Sequence, residues 1–242
     1  MFKQIKRKLV ADKKLKNYTL YAIGETLLIV IGILVAMNIN NWNENKKNLK
    51  QSKYFIDEIA VDLQRDTSYL NMALKRIDLK VEYKGKLLYP DSLQNFSTIN
   101  IQHIISSGTN NININTGTFD KMRESGVLSL EENKYLFQKL SYYYTSFKKY
   151  LDLTNDWEQK LVEKEHDQWF YQNDFELTFM DNSEAADPKL NRTNMLNILQ
   201  SNRGKNLLKM SIMRENTMKD TYEKTVKNAE RLLHIIDSLK QG

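Results

Sequence analysis

The chain has 242 residues, 41% hydrophobic and 27% charged, with a net charge of +6. The absence of cysteine excludes disulfides, thiolate metal sites and cysteine nucleophiles together. Nor does the charge point to nucleic acid: Lys3, Lys6, Arg7, Lys8, Lys13, Lys14 and Lys16 oppose only Asp12 within residues 1–20, the rest of the chain is balanced, and a neutral domain has no footprint for a phosphate backbone.

Residues 21–39 form an apolar run carrying a single charge, Glu25. At helical rise it spans roughly 28 Å, close to the thickness of a bilayer's hydrocarbon core. The basic segment before it outweighs Lys46, Lys47, Lys50 and Lys53 after it, which sit beside Glu44, Asp57 and Glu58. That bias places the N-terminus in the cytoplasm and the bulk of the chain across an inner membrane, in the periplasm of a Gram-negative cell. A cleaved signal peptide is the rival reading. Against it stand the long basic segment, the carboxylate inside the apolar run, and Val35-Ala36-Met37, a poor small-x-small cleavage site. The expected organisation is a cytoplasmic segment at 1–20, an uncleaved transmembrane signal anchor at 21–40 and an exported domain at 41–242.

Helical spacing puts Glu25, Ile29, Gly32 and Ala36 on one face of the span. Small residues permit close helix approach, and a carboxylate in lipid is costly unless partnered or near headgroups. One reading has this face packing on another membrane helix; the other has Glu25 snorkelling to the cytoplasmic interface. Tyr18 and Tyr21 suit that interface, and Trp42 the opposite one.

Three segments carry a resemblance: Tyr21-Ala22-Ile23-Gly24-Glu25, Val30-Ile31-Gly32-Ile33-Leu34-Val35-Ala36 and Ile39-Asn40-Asn41-Trp42-Asn43-Glu44. Thr116-Gly117-Thr118-Phe119, Arg123-Glu124-Ser125-Gly126-Val127-Leu128, Asn133-Lys134, Leu140 and Tyr142-Tyr143-Tyr144 add a looser pattern. Together they resemble an uncharacterised single-pass membrane-protein family of Bacteroidota, DUF6090, and cover about a third of the chain. Met37-Asn38 stand at the end of the span where the resemblance implies a more apolar or Gln-bearing pair. The resemblance implies a bacterial envelope protein and carries no activity.

Beyond Trp42 the pattern is helical, with Gly and Pro scarce enough to favour long helices. Leu49, Ile56, Leu63, Leu70 and Ile77 recur every seven residues, with Lys53, Ala60, Thr67, Leu74 and Val81 four residues after each. No Gly or Pro separates this heptad stripe, a coiled-coil signature, from the apolar run, so the helix is expected to continue outward as a stalk and end near Gly85 and Pro90. A short helix over Thr118–Ser125 should close at Gly126, and Ser129 with Glu132 reads as a capping box opening the next. A second stripe takes Leu136, Leu140, Tyr143, Phe147, Tyr150, Thr154, Trp157 and Leu161. A third takes Leu208, Ser211, Glu215, Met218, Tyr222, Thr225, Ala229, Leu232, Ile236 and Leu239, with Ser211 and Glu215 weakening its first turns. Residues 86–117 and 174–203 are irregular insertions, each with room for a short helix; the alternating 111–115 hints at a strand. The expected fold is all-α: one transmembrane helix followed by an antiparallel bundle of long helices.

No catalytic motif, cofactor loop or metal-ligand spacing emerges. His103, His166 and His234 are scattered, and Glu163, Glu165, His166 and Asp167 read as a solvated helix face. Thr116-Gly117-Thr118 reads as a helix cap, without a phosphate-binding pattern. Tyr142, Tyr143 and Tyr144 span about 200° of helix surface, so at least one must leave the seam. With Trp169 they form a candidate interaction surface. The reading is a non-enzymatic inner-membrane protein whose exported bundle binds a partner, a second copy or a small ligand, with the lipid bilayer as a further contact. An envelope enzyme with an unrecognised helical site is the alternative.

Overall fold

The computed structural model describes residues 2–127, 134–180 and 183–241, and every regular element among them is helical. The chain divides into two units, Met1–Tyr54 and Phe55–Gly242. Helix α1 (Phe2–Leu87) contributes to both. It is followed by α2 (Pro90–Leu93), α3 (Thr98–Ile105), α4 (Gly117–Glu124) and α5 (Lys134–Ser141). A π-helical segment, Tyr142–Phe147, leads into α6 (Lys148–His166), and a second, Asp167–Tyr171, ends that run. Helices α7 (Pro188–Gln200) and α8 (Asn202–Gln241) complete the chain.

In the first unit α1 carries the apolar run, long and apolar enough to cross a membrane and nowhere buried. Tyr18, Tyr21 and Trp42 are exposed, and the Lys46 ammonium lies 5.5 Å from the Trp42 ring. Glu25, Ile29, Gly32 and Ala36 are exposed too, and a Cβ at Gly32 would meet no atom within 4 Å.

In the second unit the predicted seams form the core. Leu63, Leu70 and Ile77 of α1 are fully buried with Ile59 and Ala73, a broader stripe than the heptad alone. They share one cluster with Leu136, Leu140, Tyr143 and Leu151, and with Met218, Tyr222, Ala229, Leu232 and Ile236 of α8. Full burial of each such aliphatic side chain is worth about 1.5–3 kcal/mol. Ion pairs record the helix direction: Asp57 meets Lys240, Asp78 meets Lys219 and Lys84 meets Glu215. As α1 ascends, α8 descends, so the two are antiparallel.

The second stripe holds as far as the first π segment, and beyond it only Thr154 of the expected positions is buried. Beyond it, Tyr150 is 46% exposed and Trp157 36%, whereas Leu151, Glu158 and Val162 are buried. Each of these buried residues lies one position after its predicted counterpart. A π turn holds one residue more than an α turn, so the seam advances by one residue. The same insertion turns Tyr143 and Tyr144 inward together while Tyr142 stays 59% exposed.

The insertions each hold short helices, and their loops are tied by side chains. Ser97 caps α3 through the Asn100 N–H, and Asp187 caps α7 through the Leu190 N–H with Pro188 at its first position. The Gln102 side chain donates to the Glu176 carbonyl and accepts from the Thr178 and Phe179 N–H groups. Residues 111–115 alternate as expected, with Ile114 buried and Asn111, Asn113 and Asn115 exposed, yet form no strand. Their backbone bonds go to side chains instead: Ile112 donates to the Tyr222 hydroxyl and accepts from Asn155 Nδ2. Gly126 ends α4 with φ +68°, the left-handed turn a glycine supplies most readily. At the start of α8, a Cβ on Gly204 would overlap the Ile198 carbonyl. The capping box at Ser129 and Glu132 lies outside the described residues.

Candidate functional site

Three features of the second unit concentrate polar chemistry. The first is a buried ionic cluster joining α1, the loop before α4, α6 and α8. Lys84 donates to Ser211 Oγ at 2.7 Å and to Glu215 at 3.0 Å. Arg214 holds both Glu165 oxygens at 3.0 Å and reaches Glu158 at 3.2 Å. Asn110 donates its backbone N–H and its amide to Glu158, and that amide also to Glu215. Burial pushes the Glu215 carboxyl upward, but Lys84, Lys80 and Arg214 outweigh it and hold the group below its ordinary range. Burial raises Glu158, against the donors from Asn110 and Arg214, and lowers Lys84. Because all three carboxylates are occupied by donors, the cluster locks three helices and a loop in one register.

The sequence marked this cluster in two places. Ser211 and Glu215 interrupted the apolar stripe of α8, and Lys84 continues the α1 heptad after Ile77. Glu165, read as part of a solvated face, is buried through the π-induced shift. Glu163 does remain exposed, bonded to Gln159. Asn110 and Arg214 gave no signal, since their partners come from distant segments.

The second feature is an acid–phenol cluster. Asp62 and Asp66, one turn apart on α1, are buried beside Tyr143 and Tyr144. Among the described residues, Asp62 Oδ2, Asp66 Oδ2 and both tyrosine hydroxyls have no hydrogen-bond partner. Arg65 pairs with Asp62 Oδ1, and the Asn115 backbone N–H serves Asp66. Burial, then the neighbouring Asp62, raises the Asp66 carboxyl to about 7. Burial raises both phenols as well, so they remain neutral. Tyr144 stacks on Phe119 at 4.8 Å and meets Tyr143 edge-on at 5.0 Å.

The third feature is a half-open groove of about 560 Å³ between α5 with its π segment and α8. Tyr135, Tyr142 and Tyr143 give it aromatic walls; Lys139, Arg231 and His234 line it with nitrogen donors. Asn228, Leu232 and Ile235 complete it.

The four aromatic residues expected to share an exposed surface do not form one. Tyr142 is exposed in the groove, and Tyr143 is buried at its edge. Tyr144 packs in the core, and Trp169 is buried with Leu87, Leu93, Ile101, Met195 and Leu199 in a second cluster. As surface residues, Tyr143, Tyr144 and Trp169 are corrected; the π segments set their direction. The histidines stay apart: His103 lies against Phe179, His166 near the Ser106 carbonyl, and His234 in the groove. No group of three or more His, Asp or Glu suited to a metal ion occurs among the described residues.

Fold and sites define an all-α protein with one membrane-length apolar helix and a helical unit containing a buried ionic cluster. The chain belongs to DUF6090, a family of unknown function, whose sequence model matches residues 25–199. The α8 side chains of the ionic cluster and the groove lie beyond that span. Comparison with curated proteins and with solved structures gives no match.

Proposed function

We propose that this chain is a single-pass protein of the bacterial inner membrane, with residues 1–20 in the cytoplasm, 21–40 in the bilayer and 41–242 in the periplasm. Its helical unit acts as a recognition module and not as an enzyme. The observation that carries the recognition reading is the groove, where aromatic and cationic side chains converge on accessible space. The carboxylates of the ionic cluster, by contrast, are all engaged by donors. The basic N-terminal segment supports the orientation. The Glu25 face is the route for assembly with a second copy or another membrane protein, which would carry any signal inward.

Two measurements test this. Protease added outside intact spheroplasts should digest the region beyond residue 41, and the protein should stay with membranes at high pH. A photo-crosslinking residue at Tyr142 in the full chain should give a discrete adduct absent when the same residue replaces exposed Tyr171. A protected C-terminal region, or equal labelling at both positions, would refute the corresponding half.

One observation favours the alternative, an envelope enzyme: the raised carboxyl of Asp66 beside two unpartnered phenols, the kind of perturbation found at acid–base sites. Tyr143 borders the groove, but Asp62, Asp66 and Tyr144 are buried and do not line it. A substrate-dependent activity lost in Asp66→Asn but kept in Tyr142→Ala would favour catalysis.

A further inference from the structure

We infer that the groove between α5 and α8 is a binding site for a small organic acid with a flat, apolar body. This rests on the recognition reading and adds the chemistry of what is recognised.

The charges carry the inference. On α6 and α8, Lys148 pairs with Asp152, Lys219 with Asp78, Lys224 with Asp220 and Lys240 with Asp57, whereas Lys149, Lys160, Lys209 and Lys227 have no ion pair among the described residues and line no shared cavity with one another. Arg231 and Lys139 have no ion pair among the described residues, and both open into the same concavity beside His234. Among the described residues, no carboxylate lines it. Unpaired cations gathered in a concave, partly apolar site focus a positive potential there, which favours an anion. The guanidinium of Arg231 suits a carboxylate, sulfonate or phosphate oxygen pair.

The walls define the rest of the ligand. Tyr142 presents its ring to solvent, and Leu232 and Ile235 give the opposite side an apolar surface. Lys139 lies 5.3 Å from the Tyr135 ring, so the cation and the aromatic face are offered together. Tyr143 borders the groove, nearly fully buried, and its hydroxyl has no hydrogen-bond partner among the described residues. A volume of about 560 Å³ falls within the range of small-molecule sites.

The test uses the full chain in zwitterionic detergent, titrated by calorimetry with three compounds sharing one ring: indole-3-acetate, indole-3-acetamide and tryptamine. The acid should bind about tenfold more tightly than the neutral amide, with the amine weakest. In the double variant Arg231→Gln, Lys139→Gln that preference should vanish while the melting midpoint is unchanged. Tyr142→Ala should weaken all three. Tyr142-dependent binding with the amide or amine equal to the acid would overturn the ligand class and leave recognition standing. Absence of Tyr142-dependent binding by any compound would overturn both. Arg231-dependent binding to anionic vesicles or a polyglutamate peptide, with none to indole-3-acetate, would assign the groove to a macromolecular surface and overturn the small-molecule site.

Discussion

The Lys84 ammonium sits 3.0 Å from the Glu215 carboxylate, and neither side chain reaches solvent. The pair joins α1 to α8 across 131 positions of sequence, and Ser211, Asn110 and Arg214 satisfy what remains of both groups. Removing one partner strands the other charge in the interior. Lys84→Met should therefore destabilise the protein by about 3 kcal/mol in chemical denaturation. Adding Glu215→Gln to that variant should recover part of the loss, because the stranded charge is then gone. A double variant as unstable as the sum of the singles would show that the two residues act independently.

Asp66 ties stability to pH. Its carboxyl rises from 3.8 to about 7 on folding, through burial and then Asp62. Between those values the folded chain holds a proton that the unfolded chain has released. Its contribution is thus largest at low pH and is lost as pH rises from about 4 through 7. Asp66→Asn should remove that slope and leave the variant more stable than the parent at pH 8. Denaturation midpoints from pH 4 to 8 measure it; parallel curves would refute it.

The first π segment should behave as a phase adjuster. Deleting Thr145, an exposed residue within it, removes the residue that the π turn absorbs and leaves ordinary α geometry, with the downstream side chains on the faces they already occupy. Leu151, Glu158 and Val162 should stay in the seam, and the deletion variant should still unfold cooperatively. Thr145→Ala, which keeps the residue count, should stay within about 0.5 kcal/mol of the parent. A deletion variant that loses cooperative unfolding would show that the phase is set elsewhere.

The membrane face yields a separate test. Gly32→Leu fills the small-residue position on the Glu25 face, and Glu25→Ala removes its carboxylate. Both should reduce crosslinking between membrane helices in native membranes by several-fold, because close approach and a polar bond drive helix association in lipid. Crosslinking at the parental level in both variants would leave Glu25 as a headgroup-facing residue.

What the sequence determined by itself is the content of each uninterrupted helix. The apolar run of α1 was legible because membrane-length hydrophobicity is a local property. The α1 and α8 seams were legible because a 3.6-residue period fixes which side chains share a face; from Leu208 to Ile236, every predicted α8 position is buried. The closing turn at Gly126 was legible from its glycine. Tertiary structure alone decided the rest. It set the phase of α6, since a π turn leaves no local spacing signal, and so placed Tyr144, Glu165 and Trp169 inside. It also chose the partners of Asn110, Arg214 and Ile112, and gathered Lys139 with Arg231 in one groove. Those relationships join segments far apart in the chain, and a helical period describes only the face a residue occupies, not what meets it there.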